Sequence, residues 1–345
     1  MSFRQISTLT ITLLFIFLSC GQRKGASNSF PIHLVIDAGS SGTRFCLYEV
    51  STANACHLET SGENACTEVP AENGLADLGE EKSVEVIKAG WNAIHPDDRK
   101  RITSAALLGT GGFRRATPQR QRAVLERLGG YFRESGLNAV LKVLTGEEEG
   151  KLAWRTMEQL HTDSGHNTIE TGGATVQIST GSSVSDVRAV SAPVGMNTSF
   201  ETLKTQEEFK ACFGEKTDFD ECRAFVFAKV FRDSDIQKFS SSMSGVERRR
   251  PLFGMGAPWM SLFQLASRES LDLPEVERLG RFYCSKTVAE IIKRGVPERF
   301  AARRCFMISY QTAFLQASGS AEIHQGAESW PPGAAVTHNF FPDCN

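Results

Sequence analysis

Two stretches of this chain share one arrangement of chemically useful residues. Residues 37–44 read DAGSSGTR and residues 170–177 read ETGGATVQ. In each, an acid ends an apolar strand-like run, a turn of Gly, Ser and Thr follows, and a second strand continues. Turns of this composition aim backbone N–H groups and hydroxyls at an anion. Two such turns facing each other would hold a chain of phosphates, and Asp37 and Glu170 offer the oxygens that a hard divalent cation needs, directly or through water. One such turn alone is weak, because many are only tight hairpins. A Walker P-loop is excluded, since neither stretch carries GK[ST] and neither leads into a helix. A third stretch, residues 145–150 (TGEEEG), supplies a base. Acids in a first helical turn complement the helix dipole, which accounts for Glu147 and Glu148. Gly150 has no such account, because glycine inside a helix costs about 1 kcal/mol relative to alanine. Something must approach the backbone there. Glu149 beside it is placed to polarise a water for in-line attack on phosphorus.

The elements that must position these residues read as follows. Residues 32–36 (IHLVI) and 45–50 (FCLYEV) are strands flanking the first turn. Residues 105–108 form another strand, ending at Gly109, Thr110, Gly111 and Gly112, and residues 118–135 form an arginine-rich amphipathic helix. Residues 141–144 are a strand that runs into a capping box of Thr145 and Glu148, and the helix it starts carries Leu152, Trp154, Met157 and Leu160. Residues 168–169 and 176–179 are the strands around the second turn. Strand, acid, turn and strand therefore occur twice, which predicts an internal duplication. His161 and His166 flank a polar break and read as solvated loop residues, and residues 248–250 (RRR) as a solvated face.

At this point the chain resembles the nucleoside triphosphate diphosphohydrolases, the apyrase family, in its exported bacterial form. Residues 37–44 match that family's first motif; residues 109–114 (GTGGFR), 148–154 (EEGKLAW), 170–177 and 330–334 (WPPGA) follow as the second to fifth. The resemblance implies a two-lobed α/β fold, actin-like and ribonuclease-H-like, with the active site in the interlobe cleft. It places lobe I at residues 31–163 plus 326–345 and lobe II at 164–325. It implies Ca²⁺ or Mg²⁺ as cofactor, held mostly through water by Asp37, Glu170 and Thr110. Ser40, Ser41, Gly42, Thr43, Arg44, Gly173 and Ala174 would cradle the phosphates. Glu149, Thr175 and Gln177 would handle the attacking water. The activity implied is removal of terminal phosphates from nucleoside tri- and diphosphates. Glu170 stands where the family has Asp, and Val176 where it has Thr. Trp259 in residues 253–260 could stack on a base, but a tryptophan there is more often core.

The whole-chain properties fit an exported enzyme. The 345 residues are 41% hydrophobic, enough for two lobes with their own cores. A net charge of −2 provides no basic field for nucleic acid. Residues 1–20 read as a signal peptide whose apolar run is too short to span a membrane, ending in FLSC, which resembles a lipobox. Lipid on Cys20 would attach the chain to the periplasmic or outer-membrane surface; ordinary cleavage would leave it secreted. Residues 21–30 read as a tether. Nine cysteines also indicate an oxidising compartment. Proximity favours Cys56–Cys66, Cys212–Cys222 and Cys284–Cys305, leaving Cys46 and Cys344 to pair or remain thiols. The chain is expected to act as a monomer. Two alternatives stand: an exopolyphosphatase or guanosine-pentaphosphate phosphatase, which shares the fold and a Glu-rich motif, and a non-catalytic surface-binding lipoprotein.

Overall fold

The computed structural model describes residues 30–344 apart from 41, 53–55, 60–65, 71–73, 162–164, 216, 295 and 297 and the side chains of Pro70 and Arg299. The expected signal, lipid site and tether fall outside the described residues, Phe30 apart.

The apolar runs form two sheets. The first contains β1 (Ile32–Ala38), β2 (Gly42–Ser51), β3 (His57–Leu58), β4 (Cys66–Pro70), β5 (Ile102–Gly109) and β6 (Ala139–Val143). Its order is β3-β2-β1-β5-β6, with β4 also on β2. The second contains β7 (His166–Thr171), β8 (Val176–Gly181), β9 (Arg188–Ala192), β10 (Leu252–Met255), β11 (Ser270–Asp272) and β12 (Glu322–Gln325), in the order β11-β12-β10-β7-β8-β9. In each sheet an antiparallel hairpin, β1–β2 or β7–β8, is followed by strands added in parallel beside its first member. The repeat seen in the motifs is thus a repeat of topology. The fold is the two-lobed, actin-like α/β architecture.

Every residue of β1 is buried, because the first sheet is covered on both faces. Leu34 and Ile36 meet Val84, Val124 and Leu128 on one side. Val35 on the other joins a core shared with Leu152, Met157, Met255, Trp330 and Phe341. That shared core is built around the helix Gly146–Leu160, whose Thr145–Glu148 capping box forms as the sequence indicates. After β12 the chain crosses to the helix Pro331–Ala335, which packs on β1 and the helix Gly146–Leu160. The last residues are pinned there: buried His33 stacks on Phe341 at 4.1 Å and is hydrogen-bonded with Ala335 O at 2.7 Å and Asp343 Oδ2 at 3.0 Å.

The disulfides correct the proximity reading in part. Cys212–Cys222 and Cys284–Cys305 form, but Cys56–Cys66 does not. The register of β2 on β4 sets Cys46 directly opposite Cys66, with Cα atoms 4.0 Å apart. Cys56 instead bonds Cys344, 288 residues away, and ties the chain's last turn to the first sheet. Two further readings change. His166 is no loop residue: it lies buried on β7, stacked on Trp154 at 4.5 Å, and burial pushes its pKa down to about 4. Trp259 is fully buried and donates to Thr171 Oγ1 at 2.9 Å, so it belongs to the core. No helix among the described residues is long and apolar enough to cross a membrane.

Candidate active site

Both turns are closed by the same hydrogen bond: Gly39 N to Gly42 O, and Gly172 N to Thr175 O, each 3.0 Å. The register then sets Asp37 across from Arg44 and Glu170 across from Gln177. The turns face one another, since a Cβ on Gly173 would stand 3.2 Å from Ser40 Oγ. Gly112 explains part of the second motif: a Cβ there would lie 2.7 Å from Ser40 Cα, so only glycine lets this helix start lean on the first turn. The second turn is braced by the helix Met196–Leu203, whose Asn197 and Thr198 N–H groups donate to Gly173 O at 3.0 Å.

Glu149 lies on the inner face of its helix and is 7% exposed. Its Oε2 accepts from Arg114 Nη2 at 2.8 Å and Gln177 Nε2 at 3.1 Å. Both donors also reach Thr175 Oγ1, at 3.1 and 2.9 Å. Burial raises the Glu149 pKa to about 7, against the pull of Arg114 and with a further push from Asp37. Its neighbours behave otherwise. Glu147 is exposed, and Glu148 caps the helix and meets Lys142 at 2.6 Å. The close approach expected at Gly150 is real: a Cβ would stand 2.9 Å from Ala189 Cβ and 3.3 Å from Gln177 Cβ. With a side chain there the helix could not lie on β8 and β9, and Glu149 would not reach Gln177.

The acids at the two turns are buried differently. Asp37 Oδ2 accepts from Arg44 Nε at 3.0 Å and pairs with Arg44 Nη2 as well. Glu170 Oε1 accepts from Ser329 Oγ at 3.0 Å, and burial, with the charge of Glu149, raises its pKa well above the usual carboxylate range. Three buried oxygens here have no hydrogen-bond partner among the described residues: Asp37 Oδ1, Glu170 Oε2 and Gln177 Oε1. An all-oxygen set of this kind suits Mg²⁺ or Ca²⁺. The carboxylates of Asp37, Glu149 and Glu170 do not all come within 4.8 Å of one another, the convergence that direct ligation by three acids would need. An ion held largely through its waters fits that spacing, as Mg²⁺ prefers. The one acid, histidine and cysteine cluster of that tightness among the described residues, His33, Asp343 and Cys344, is spent on the Cys56 disulfide and on packing.

A cleft of about 540 Å³ is lined by Asp37, Ser40, Gly42, Arg44, Thr110, Glu149, Glu170, Gly173, Ala174 and Thr175. These are nearly all the residues singled out from the sequence. Gln177 stands just behind, through its contacts with Glu149 and Thr175. Ser41 lies outside the described residues. Thr43 is not brought to the cleft: alternation along β2 turns Gly42 and Arg44 inward and buries its side chain completely on the other face. Val176 holds the equivalent place in β8, fully buried in the second lobe's core, so a hydroxyl there would have nothing to bind. Sequence reasoning missed the roles of Arg114, Ser191 and Ser329. Arg114 closes the quoted motif 109–114 and Ser329 adjoins the quoted motif 330–334; Ser191, which accepts from Gln177 at 3.2 Å, carried no signal.

Comparison with protein-family models and with curated protein sequences returns no match. Solved structures do match in fold. The Ppx/GppA family member of Aquifex aeolicus superposes with a TM-score of 0.64 at 17% identity, over 89% of this chain and 96% of that one. An exopolyphosphatase from Cytophaga hutchinsonii gives 0.57 at 15% identity, over 88% and 96%. An exopolyphosphatase-like protein gives 0.58 at 15%, over 89% and 98%. The likeness is one of architecture across nearly the full length of each chain.

Proposed function

We propose that this chain hydrolyses terminal phosphoanhydride bonds with the help of a divalent metal ion. The observation that carries the reading is Glu149: a buried carboxylate with a pKa near neutrality, set between two facing phosphate-type turns and hydrogen-bonded to Thr175's own donors. Asp37, Glu170 and Gln177 would hold the ion, which supplies charge neutralisation on the phosphates. The backbone of the two turns, with Ser40 and Arg44, binds and aligns the phosphate chain. Thr175 and Gln177 orient a water, and Glu149 takes its proton as the water oxygen bonds to phosphorus. The bridging P–O bond breaks, and the shortened chain leaves with the electron pair. A base with a pKa near the working pH is the efficient one.

Two substrate readings are supported by different observations. Two of the fold neighbours are described as an exopolyphosphatase and an exopolyphosphatase-like protein, which favours inorganic polyphosphate. Nucleoside tri- and diphosphates are favoured by the five motifs and by an apolar shelf of Pro258, Phe300 and Met307 that extends the cleft beyond the turns, where a base could lie. Four disulfides support action outside the reducing cytosol, as the expected signal at residues 1–20 would require. Phosphate release from ATP, ADP, guanosine pentaphosphate and polyphosphate, with and without Mg²⁺ or Ca²⁺, tests both. Release by the parent from none of them, or no more than by Glu149→Gln, removes the enzymatic reading and leaves a surface-binding protein.

A further inference from the structure

The acids of the two turns are joined through one hydroxyl that no motif singles out. Ser329 is 8% exposed and lies in the segment between β12 and the helix Pro331–Ala335. Arg44 Nη2 donates to Ser329 Oγ at 2.9 Å, while Arg44 also holds Asp37. A guanidinium only donates, so the single serine proton is left for Glu170 Oε1, at 3.0 Å. The hydroxyl therefore has a fixed direction. Its position is fixed too: Gly326 N donates to Gly254 O at 3.1 Å, and the carbonyl of buried Trp330 accepts from Thr156 Oγ1 at 3.0 Å.

We propose that Ser329 is a positioning residue for Glu170, occupying one carboxylate oxygen so that the other, Oε2, is presented toward Asp37 as a metal-holding oxygen. Glu170 reaches one methylene further than Asp37 and has an extra rotatable bond. Asp37 is oriented by the arginine opposite it, whereas Glu170 faces the neutral Gln177 and takes its orientation from Ser329. Oε2 is buried without a partner, as a side chain aimed at an ion would be. The C-terminal crossing thereby becomes part of the site, linking Asp37, Arg44 and Glu170 across the cleft.

This inference rests on the reading of Asp37 and Glu170 as the acids that hold the ion. Its test is Mn²⁺ binding to the substrate-free protein, followed by loss of the free-ion EPR signal, with the melting temperature as a control. Loss of an outer partner of a metal-holding group typically weakens binding about 10–100-fold, and Ser329→Ala should do the same. Ser329→Thr, which keeps the hydroxyl, should retain most of the affinity. In a Glu170→Asp background, where the shorter acid no longer reaches the serine, Ser329→Ala should change little. Equal weakening by Ala and Thr would assign the effect to packing and overturn the role. Parental binding by Ser329→Ala, with Glu170→Ala weakened, also overturns it and leaves the metal reading intact. Parental binding by Glu170→Ala removes the metal reading and the inference together. Should Ser329→Ala fail to fold, Ser329→Gly is read by the same outcomes.

Discussion

Asp37 and Glu170 hold the same place in two topologically equivalent hairpins, yet their surroundings differ. Asp37 has Arg44 across the ladder, so its charge is matched inside the first lobe. Glu170 has Gln177 across the ladder, and the strongest charged influence on it, Glu149, is of the same sign. The first hairpin pairs its acid with a cation of its own. On the proposed reading the second carries the reactive groups, because Gln177 donates to Glu149 and to Thr175 rather than to the acid opposite it. A buried carboxylate without a cation is costly unless it is protonated or holds a metal. The difference teaches that symmetry of backbone was retained while charge was not, and that the uncompensated side is where an ion and a water are expected to act.

The comparison breaks most visibly at Glu149. Glu149→Gln should lower phosphate release about 10²–10⁴-fold, roughly 3–5 kcal/mol of barrier, with metal and substrate binding retained. Glu148→Gln should cost about 1 kcal/mol or less of stability through the helix cap and leave turnover in place. Steady-state kinetics and melting curves on both variants decide it, and a dead Glu148→Gln beside an active Glu149→Gln would reverse the assignment.

A second effect separates the two sides by pH. The folded pKa of Glu149 is raised to about 7 and that of Glu170 is raised as well, so the folded chain binds these protons more tightly than the unfolded one. Their contribution to the stability of the metal-free protein should therefore be fullest below pH 4.5, and be lost as the pH rises through 7. The loss should be on the order of 3 kcal/mol for Glu149 alone. Added Mg²⁺ should reverse the trend at pH 8 by binding the ionised form. Denaturant unfolding at pH 5 and 8 with and without metal measures this; a metal-free protein more stable at pH 8 would contradict it.

The hairpins should also respond oppositely to neutralisation. Asp37→Asn strands Arg44 and should destabilise the metal-free protein by about 1–3 kcal/mol, less than a fully buried pair because the Arg44 side chain is 34% exposed. Glu170→Gln removes an uncompensated charge and should raise the melting temperature at pH 8 while abolishing the stabilisation by Mg²⁺. Destabilisation of similar size in both variants would erase the distinction between the turns. The smallest effect is expected at Val176→Thr, which restores the family's residue. It buries a hydroxyl without a partner, so it should cost about 1 kcal/mol and leave turnover unchanged. A gain in turnover would show that the hydroxyl reaches the water after all.

Much of the site could be read from the order of residues because its parts are local. A strand ending in an acid, a glycine turn and a returning strand require only neighbouring residues, and so does the Thr145–Glu148 cap that sets the helical register of Glu149. Alternation along β2 could also have placed Thr43 on the far face, since period two is a sequence property. Other features needed distances that chain order does not encode. Cys66 pairs with Cys46 because two antiparallel strands bring them into register, not because they are near in sequence. Arg114 reaches Glu149 across 35 residues, and Ser329 reaches Glu170 across 159.

What the amino-acid sequence determined by itself was the repeated hairpin, the two acids and the helix that carries Glu149, while the class of fold was implied by the resemblance of its motifs. The hairpin, acids and helix follow from side-chain periodicity, turn chemistry and capping, which act over a few residues. Only the tertiary structure decided which acid would be charge-compensated, which carboxylate would have its pKa raised, and which hydroxyl would join the two turns. Burial and hydrogen-bond direction are set by every element packed around a group, and here the C-terminal crossing supplies the last of them.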